Sequence, residues 1–395
     1  MAGKDEKSTP TLDHAPTTEA APKPMSANNE GSEPVARSYY KAPPQRRKSF
    51  ISPFVVVFIA VVVMIALLSY GLGATMAGNN SGVSSSTTST STSSSSNMNT
   101  SNPTTAPANV PNATQSYGGQ LAKYVVDPDG AKHFTLTAKQ VMWETVKGHR
   151  VLAWTIDGTV PGPMIRVTAG DHVRITLINH FPEGTALHWH GLMVPPSADG
   201  VPGVGMKPVM PDQSYTYDFT VYNQDVGTHW YHSHYDDVVQ VPGGMYGAFI
   251  VDPRPGTPQA QQAIKADVEA TMFVSELGGY YVINGKSFPD TQPIMVKHGQ
   301  TVHVRLFGAS EMIHPMHLHG HFFNLVAEDG HMLPQPIQKD TLSVTPGDTY
   351  DITFYAWAPP GSIYPFHCHI LAHLMNPGQT GSEMGGLITL IEYAR

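Results

Sequence analysis

Met164-Ile165-Arg166-Val167 and His172-Val173-Arg174-Ile175-Thr176-Leu177 alternate apolar and polar residues on either side of a turn at Gly170-Asp171. Successive side chains of a strand point to opposite faces, so a period of two marks half-buried strands and not a helix. Pro161-Gly162-Pro163 leads into the first of them. Phe134-Thr135-Leu136-Thr137 is an earlier segment of the same kind, and Gly247-Ala248-Phe249-Ile250-Val251-Asp252 closes the unit. Turn residues recurring about every ten positions predict an antiparallel sandwich or barrel.

The same grammar returns downstream. Ile294-Met295-Val296 leads to a turn at His298-Gly299-Gln300 and then to Val302-His303-Val304-Arg305-Leu306. Between the units, Pro253 to about Ala266 reads as a linker, and Gln259 to Glu269 is the stretch that suits a short helix. A repeat of about 130 residues is too long for a solenoid and suits two homologous sandwiches. The folded part is therefore expected to be all-β, with domains at 117–253 and 268–395. Glycine (36) and proline (34) are plentiful and only 14% of the 395 residues are charged, which agrees with a turn-rich β protein. The net charge of −8 gives no sign of a nucleic-acid partner.

The N-terminal part differs in composition. Residues 1–49 are polar and read as a disordered cytoplasmic segment. Arg46-Arg47-Lys48 precedes an apolar run from Phe50 to Leu72, which is long enough to cross a bilayer as a helix. Basic residues before the run and none just after it place the N-terminus inside. A cleaved signal peptide is the rival reading, kept open by Ala74 and Ala77. Residues 73–116 are dominated by Ser, Thr and Asn and read as a flexible tether. The expectation is a single-pass protein of the cell membrane whose folded domains lie outside the cytoplasm.

Twenty histidines are the compositional outlier, and five His-x-His pairs stand where chance gives roughly one. They fall in four clusters: His188-Trp189-His190, His232-Ser233-His234, His314-Pro315-Met316-His317-Leu318-His319, and His367-Cys368-His369 with His373. On a strand, His-x-His aims both imidazoles to one side, and neutral imidazole suits copper and zinc. Cys368 is the only cysteine, so it has no partner for an internal disulfide. One sulfur among several nitrogens favours copper. A lone histidine is more often structural, and His133, His149, His172, His180, His298 and His331, outside the clusters, keep that reading. So do His229 and His321, which lie beside clusters but out of pattern.

The four clusters resemble the copper-binding signatures of the multicopper oxidases, the family of laccases and their relatives, over roughly residues 120–395. With room for two domains, the chain is similar to the two-domain, small-laccase type. The resemblance implies two cupredoxin-like Greek-key sandwiches and about four coppers per chain. It assigns His314, Cys368 and His373 to a type 1 copper. His188 and His317 go to a type 2 copper, and His190, His232, His234, His319, His367 and His369 to a type 3 pair. Cys368 would accept electrons, and its neighbours His367 and His369 would pass them on to dioxygen. Such a protein oxidises phenolic or similar small-molecule donors one electron at a time.

Two further residues come with the resemblance. The family's axial methionine position, ten residues after the cysteine, is Gly378 here. Met384 is the expected substitute, with Met375 or no ligand as alternatives. Asp199 matches a family carboxylate near the oxygen cluster and is a candidate proton donor, although a turn aspartate before glycine needs no such role. In two-domain relatives the first domain meets the second domain of a neighbour, which implies a homotrimer. A copper nitrite reductase is the competing class, but it would leave His232 and His234 without a task. A copper-storage or electron-carrier protein fits eleven arranged His and Cys positions poorly. Oxidation of Cu(I) or Mn(II) is a substrate variant, and the eighteen methionines form no tract that would favour it.

Overall fold

A computed structural model describes residues 109–381 and 383–395. The segments expected as cytoplasmic (1–49) and membrane-spanning (50–72), and most of the tether (73–116), lie outside the described residues. Among those described, no helix is long and apolar enough to cross a membrane. Backbone pairing begins ahead of the expected Tyr117: Met142 N–H donates to Pro111 O, and Ala113 N–H to Met142 O.

The first half holds β1 (Tyr124–Val126), β2 (Lys132–Val146), β3 (His149–Ile156), β4 (Ile165–Thr168), β5 (His172–Asn179), β6 (Leu187–His190), β7 (Ser214–Thr220), β8 (Gly227–Ser233) and β9 (Tyr246–Asp252). One sheet has the order β1-β2-β5-β7 with β3 against β2, and the other is β4-β9-β8-β6. Alternation sorts the side chains as the sequence requires. Val173, Ile175 and Leu177 of β5 are buried, while His172, Arg174 and Thr176 face outward. The inward set meets Trp189, Tyr231 and Phe249 of the facing sheet in one core.

The second half holds β10 (Val268–Leu277), β11 (Tyr280–Ile283), β12 (Ile294–Val296), β13 (Thr301–Gly308), β14 (His314–Leu318), β15 (Phe323–Glu328), β16 (His331–Lys339), β17 (Thr341–Val344), β18 (Thr349–Tyr355), β19 (Ile363–Cys368) and β20 (Ile388–Tyr393). Its sheets are β11-β10-β13-β18-β15-β16 and β12-β20-β19-β14-β17, packed around Val304, Leu306, Met316, Phe366 and Ile391. The repeat is topological as well as sequential. β2–β5 and β4–β9 run parallel in the first half, as β10–β13 and β12–β20 do in the second. The sheets are thus mixed and not purely antiparallel. These parallel pairs join strands far apart in the chain, which local alternation cannot register.

The linker carries one short helix, α1 (Pro258–Gln262), whose N-cap Thr257 accepts from Ala260 N–H. The two sandwiches share a third core: Trp143, Trp230 and Tyr246 from the first half meet Phe273 and Phe307 from the second. The Phe273 and Phe307 rings stack at 4.2 Å. Beside this apolar seam sits a buried polar one. Asp351 Oδ1 accepts from Thr228 Oγ1 at 2.8 Å and from Arg305 at 3.0 Å, and His303 Nε2 lies 2.6 Å away. Arg305 also donates to Thr228. A buried carboxylate needs such partners to offset its lost hydration.

Candidate metal centre

β14 and β19 pair antiparallel with Met316 opposite Cys368 and His317 opposite His367. Strand alternation then divides the chemistry between the two faces of one sheet. His314, Met316 and Leu318 on β14, with Phe366 and Cys368 on β19, turn into the core. His317 and His367 turn to the other face, where His319 and His369 join them on the continuing chain.

On the core side, His373 comes up from the short helical turn Leu371–Leu374 to meet His314 and Cys368. Cys368 Sγ lies 3.6 Å from His373 Nδ1 and 3.8 Å from His314 Nδ1, and the two nitrogens are 3.1 Å apart. Cys368 and His314 are 0% exposed and His373 5%. Burial, with His314 adding to it, pushes His373 down to about 4, so its ring stays neutral. Burial pushes the Cys368 thiol up instead. A dry pocket that disfavours both imidazolium and bare thiolate suits a cation that binds all three donors and compensates the sulfur.

The outer face carries a quartet. Ring centroids of His317 lie 4.9, 5.8 and 5.8 Å from those of His319, His367 and His369. His319 Nε2 and His367 Nε2 approach to 2.9 Å. The backbone sets the tautomers of His367 and His317. His367 Nδ1 donates to Cys368 O, and His317 Nδ1 to Asp340 O, leaving each Nε2 as a bare lone pair. Burial, ahead of the neighbouring rings, lowers both His319 and His367.

The first sandwich builds a matching quartet on β6 and β8, where His188 faces His232. Leu187 and Trp189 go inward and His188 and His190 outward. His188, His190 and His232 bring donor atoms within 4.8 Å of one another. His188 Nδ1 donates to Asp199 O at 2.8 Å and His232 Nδ1 to Ser233 O at 2.7 Å, so each Nε2 carries a lone pair, that of His232 facing His190 Nδ1 at 3.3 Å. His234 completes the group, its ring 5.5 Å from His188, with Asp237 Oδ2 3.5 Å from its Nδ1. Burial and then the crowd of neighbouring imidazoles push His232 down to about 3, against the Ser233 carbonyl. Trp230 covers the cluster, 4.4 Å from the His232 ring and 5.2 Å from that of His190.

The sequence-predicted residues thus fall into three groups on this chain. The trio of His314, Cys368 and His373 is assembled. The eight outer histidines form two quartets, and among the described residues no ring contact or hydrogen bond joins one quartet to the other. Asp199 Oδ1 lies 3.3 Å from His188 Nδ1. Met384 is 60% exposed, whereas the trio is buried. It is Leu387, fully buried, that bonds through its backbone to both Cys368 and His373. His229 and His321 are buried and hydrogen-bonded, His229 to Asp225 O and His321 to His319 O and Tyr393 Oη. Glu276, Ser310 and Tyr281, which touch the two histidines of the trio, gave no sequence signal because only the fold brings them there.

Two family models, both described as multicopper oxidase, match residues 137–256 and 252–377. The chain is 37% identical over 175 residues to a copper resistance protein A homolog of Pseudomonas syringae pv. tomato, covering 41% of this chain and 29% of that protein. It is 31% identical over 248 residues to laccase-15 of Oryza sativa subsp. japonica, covering 54% and 40%. The crystal structure of a blue copper oxidase from Nitrosomonas europaea superposes with a TM-score of 0.60 at 31% identity, covering 66% of this chain and 85% of that one. The chain spans less than half the length of the two curated relatives.

Proposed function

The chain belongs to the multicopper oxidase family, and from that premise we propose that it is a laccase-like oxidase which takes single electrons from phenolic or similar donors and reduces dioxygen to water. The observation that carries this reading is the split across β19. Cys368 sits in a buried core with the imidazoles of His314 and His373, while His367, one residue before it, serves the histidine quartet on the opposite face. One-electron entry and oxygen reduction thereby have separate sites joined by a few covalent bonds.

The donor sets fit copper in number and kind, with one sulfur and two nitrogens in the buried trio and only nitrogens outside it. His314, Cys368 and His373 would hold the type 1 ion. His188 and His317 would hold the type 2 ion, and His190, His232, His234, His319, His367 and His369 the type 3 pair. Bound there, copper supplies electron transfer and the seat of oxygen reduction. The protein's own part is to present bare lone pairs, which the bonds to Asp199 O, Ser233 O, Asp340 O and Cys368 O arrange. Asp199, whose Oδ1 is 3.3 Å from His188 Nδ1, would deliver a proton there.

Each quartet supplies half of the oxygen site. Their separation on one chain supports a homotrimer in which the first sandwich of one protomer meets the second of its neighbour. The apolar run at 50–72 supports a membrane anchor with these domains outside the cytoplasm. A second reading, oxidation of a metal ion such as Cu(I), is favoured by the likeness to a protein named for copper resistance. Oxygen uptake with a phenol, set against nitrite consumption with a reduced dye, tests the proposal. Uptake with the phenol and none of the nitrite activity is the expected result, and nitrite turnover without phenol-dependent uptake would contradict it.

A further inference from the structure

β10 and β11 form a tight hairpin, with Leu277 opposite Tyr280 and Glu276 opposite Tyr281. Its two turn residues, Gly278 and Gly279, have φ of 58° and 84°, the left-handed pair that a two-residue turn of this kind requires. Directly opposed residues share a face of the ribbon. Here that face lies over the buried trio, and each of its two residues meets a different histidine.

Glu276 meets His314. Its Oε1 is 3.1 Å from His314 Nε2 and accepts from Ser310 Oγ at 2.8 Å. Ser310 Oγ also accepts from Met312 N–H at 2.9 Å and lies 2.7 Å from His314 Nε2. A hydroxyl has one proton and two lone pairs. With the proton on Glu276 and one lone pair on Met312, the other lone pair faces Nε2, so Nε2 carries the hydrogen. Nδ1 of His314 is then the bare nitrogen, and Nδ1 is the atom turned toward Cys368 and His373. Tyr281 meets His373: the rings stack at 4.0 Å with 24° between their planes.

We propose that this hairpin is the positioning element of the thiolate site, Glu276 with Ser310 fixing the tautomer of His314 and Tyr281 fixing the ring plane of His373. The inference rests on the copper reading of the trio. A carboxylate that accepts from the far nitrogen of a ligating imidazole orients the ring and makes it a stronger donor. Its loss weakens binding of the oxidised ion and raises the reduction potential.

Imidazole nitrogen NMR on the metal-free protein, followed by Cu(II) titration and potentiometry, tests this. The parent protein should show His314 only as the Nε2–H form. Glu276→Leu should bring in the Nδ1–H form, lower Cu(II) affinity about tenfold or more, and raise the potential. Glu276→Gln, whose amide oxygen still accepts, should restore the parent tautomer. Should Glu276→Leu not fold, Glu276→Met removes the same acceptor and should also admit the second tautomer. Tyr281→Phe keeps the stack and the affinity, whereas Tyr281→Ala loses affinity. A single Nε2–H form with parent affinity in Glu276→Leu or Glu276→Met would overturn the inference. If the parent protein itself shows no thiolate–copper colour, the copper reading fails, while the tautomer spectra of the metal-free proteins still decide the role of the hairpin.

Discussion

Nδ1 of His367 donates to the carbonyl oxygen of Cys368 at 2.7 Å. That bond ties an imidazole on one face of β19 to the residue whose sulfur lies on the other. It fixes which nitrogen of His367 is bare and shortens the path between the two sites to one residue and one hydrogen bond. The buried trio and the outer quartet are in this sense one construction, built by strand alternation.

Cys368→Ser removes the sulfur and leaves both quartets untouched. Visible charge-transfer absorption and donor oxidation should fall to background, read by spectrum and by oxygen uptake. Phenol oxidation at the parent rate would place electron entry elsewhere.

Asp199→Asn keeps the main-chain carbonyl that holds His188 and removes only the acidic group. Copper content should stay at the parent value while turnover drops about 100-fold, the scale of a lost proton donor. An unchanged turnover number would reduce Asp199 to a turn residue.

Met384→Leu should leave the type 1 potential and spectrum as they are, because Met384 is 60% exposed while the trio is enclosed. A shifted potential on this substitution would instead make Met384 the weak axial ligand that the sequence suggests.

Asp351→Ala strips the buried seam of the carboxylate that Arg305, Thr228 and His303 share. Removing one member of a buried charged pair costs about 3–5 kcal/mol, because its partners stay desolvated. Urea unfolding should show that loss, and an unchanged midpoint would mean the two sandwiches do not depend on this contact.

Acid should destabilise the metal-free protein. Burial first, and neighbouring imidazoles second, hold His232 near 3 and His373 near 4, whereas an unfolded histidine titrates at about 6.5. As pH falls from about 6.5 toward about 4, the unfolded chain takes up protons that the folded chain refuses, so unfolding becomes easier. Stability from these groups is complete above that window. Urea midpoints near pH 7.5 and near pH 4.5 should differ in that direction, and equal midpoints would contradict it.

Much of the site is visible in the chain because strand alternation is local. His188-Trp189-His190 states in three residues that two imidazoles share a face and that Trp189 takes the core. The strands read from Met164 to Leu177 and from Ile294 to Leu306 stand at Ile165–Thr168, His172–Asn179, Ile294–Val296 and Thr301–Gly308. What depends on distant pairing is not visible. The parallel partnership of β10 with β13, the arrival of Glu276 beside His314, and the burial of His303 against Asp351 are set by the closure of the sandwich, and no short-range pattern announces them. The sequence also lets all eight outer histidines be pooled in one place, whereas the fold deals them to two faces.

Copper analysis of the purified folded domains, as the parent and as Cys368→Ser, shows whether the sulfur holds an ion separate from those of the histidine quartets. About four ions per chain are expected in the parent and one fewer in the variant, with the blue colour lost together with that ion. About two ions per chain in the parent, or the same content in both proteins, would contradict it.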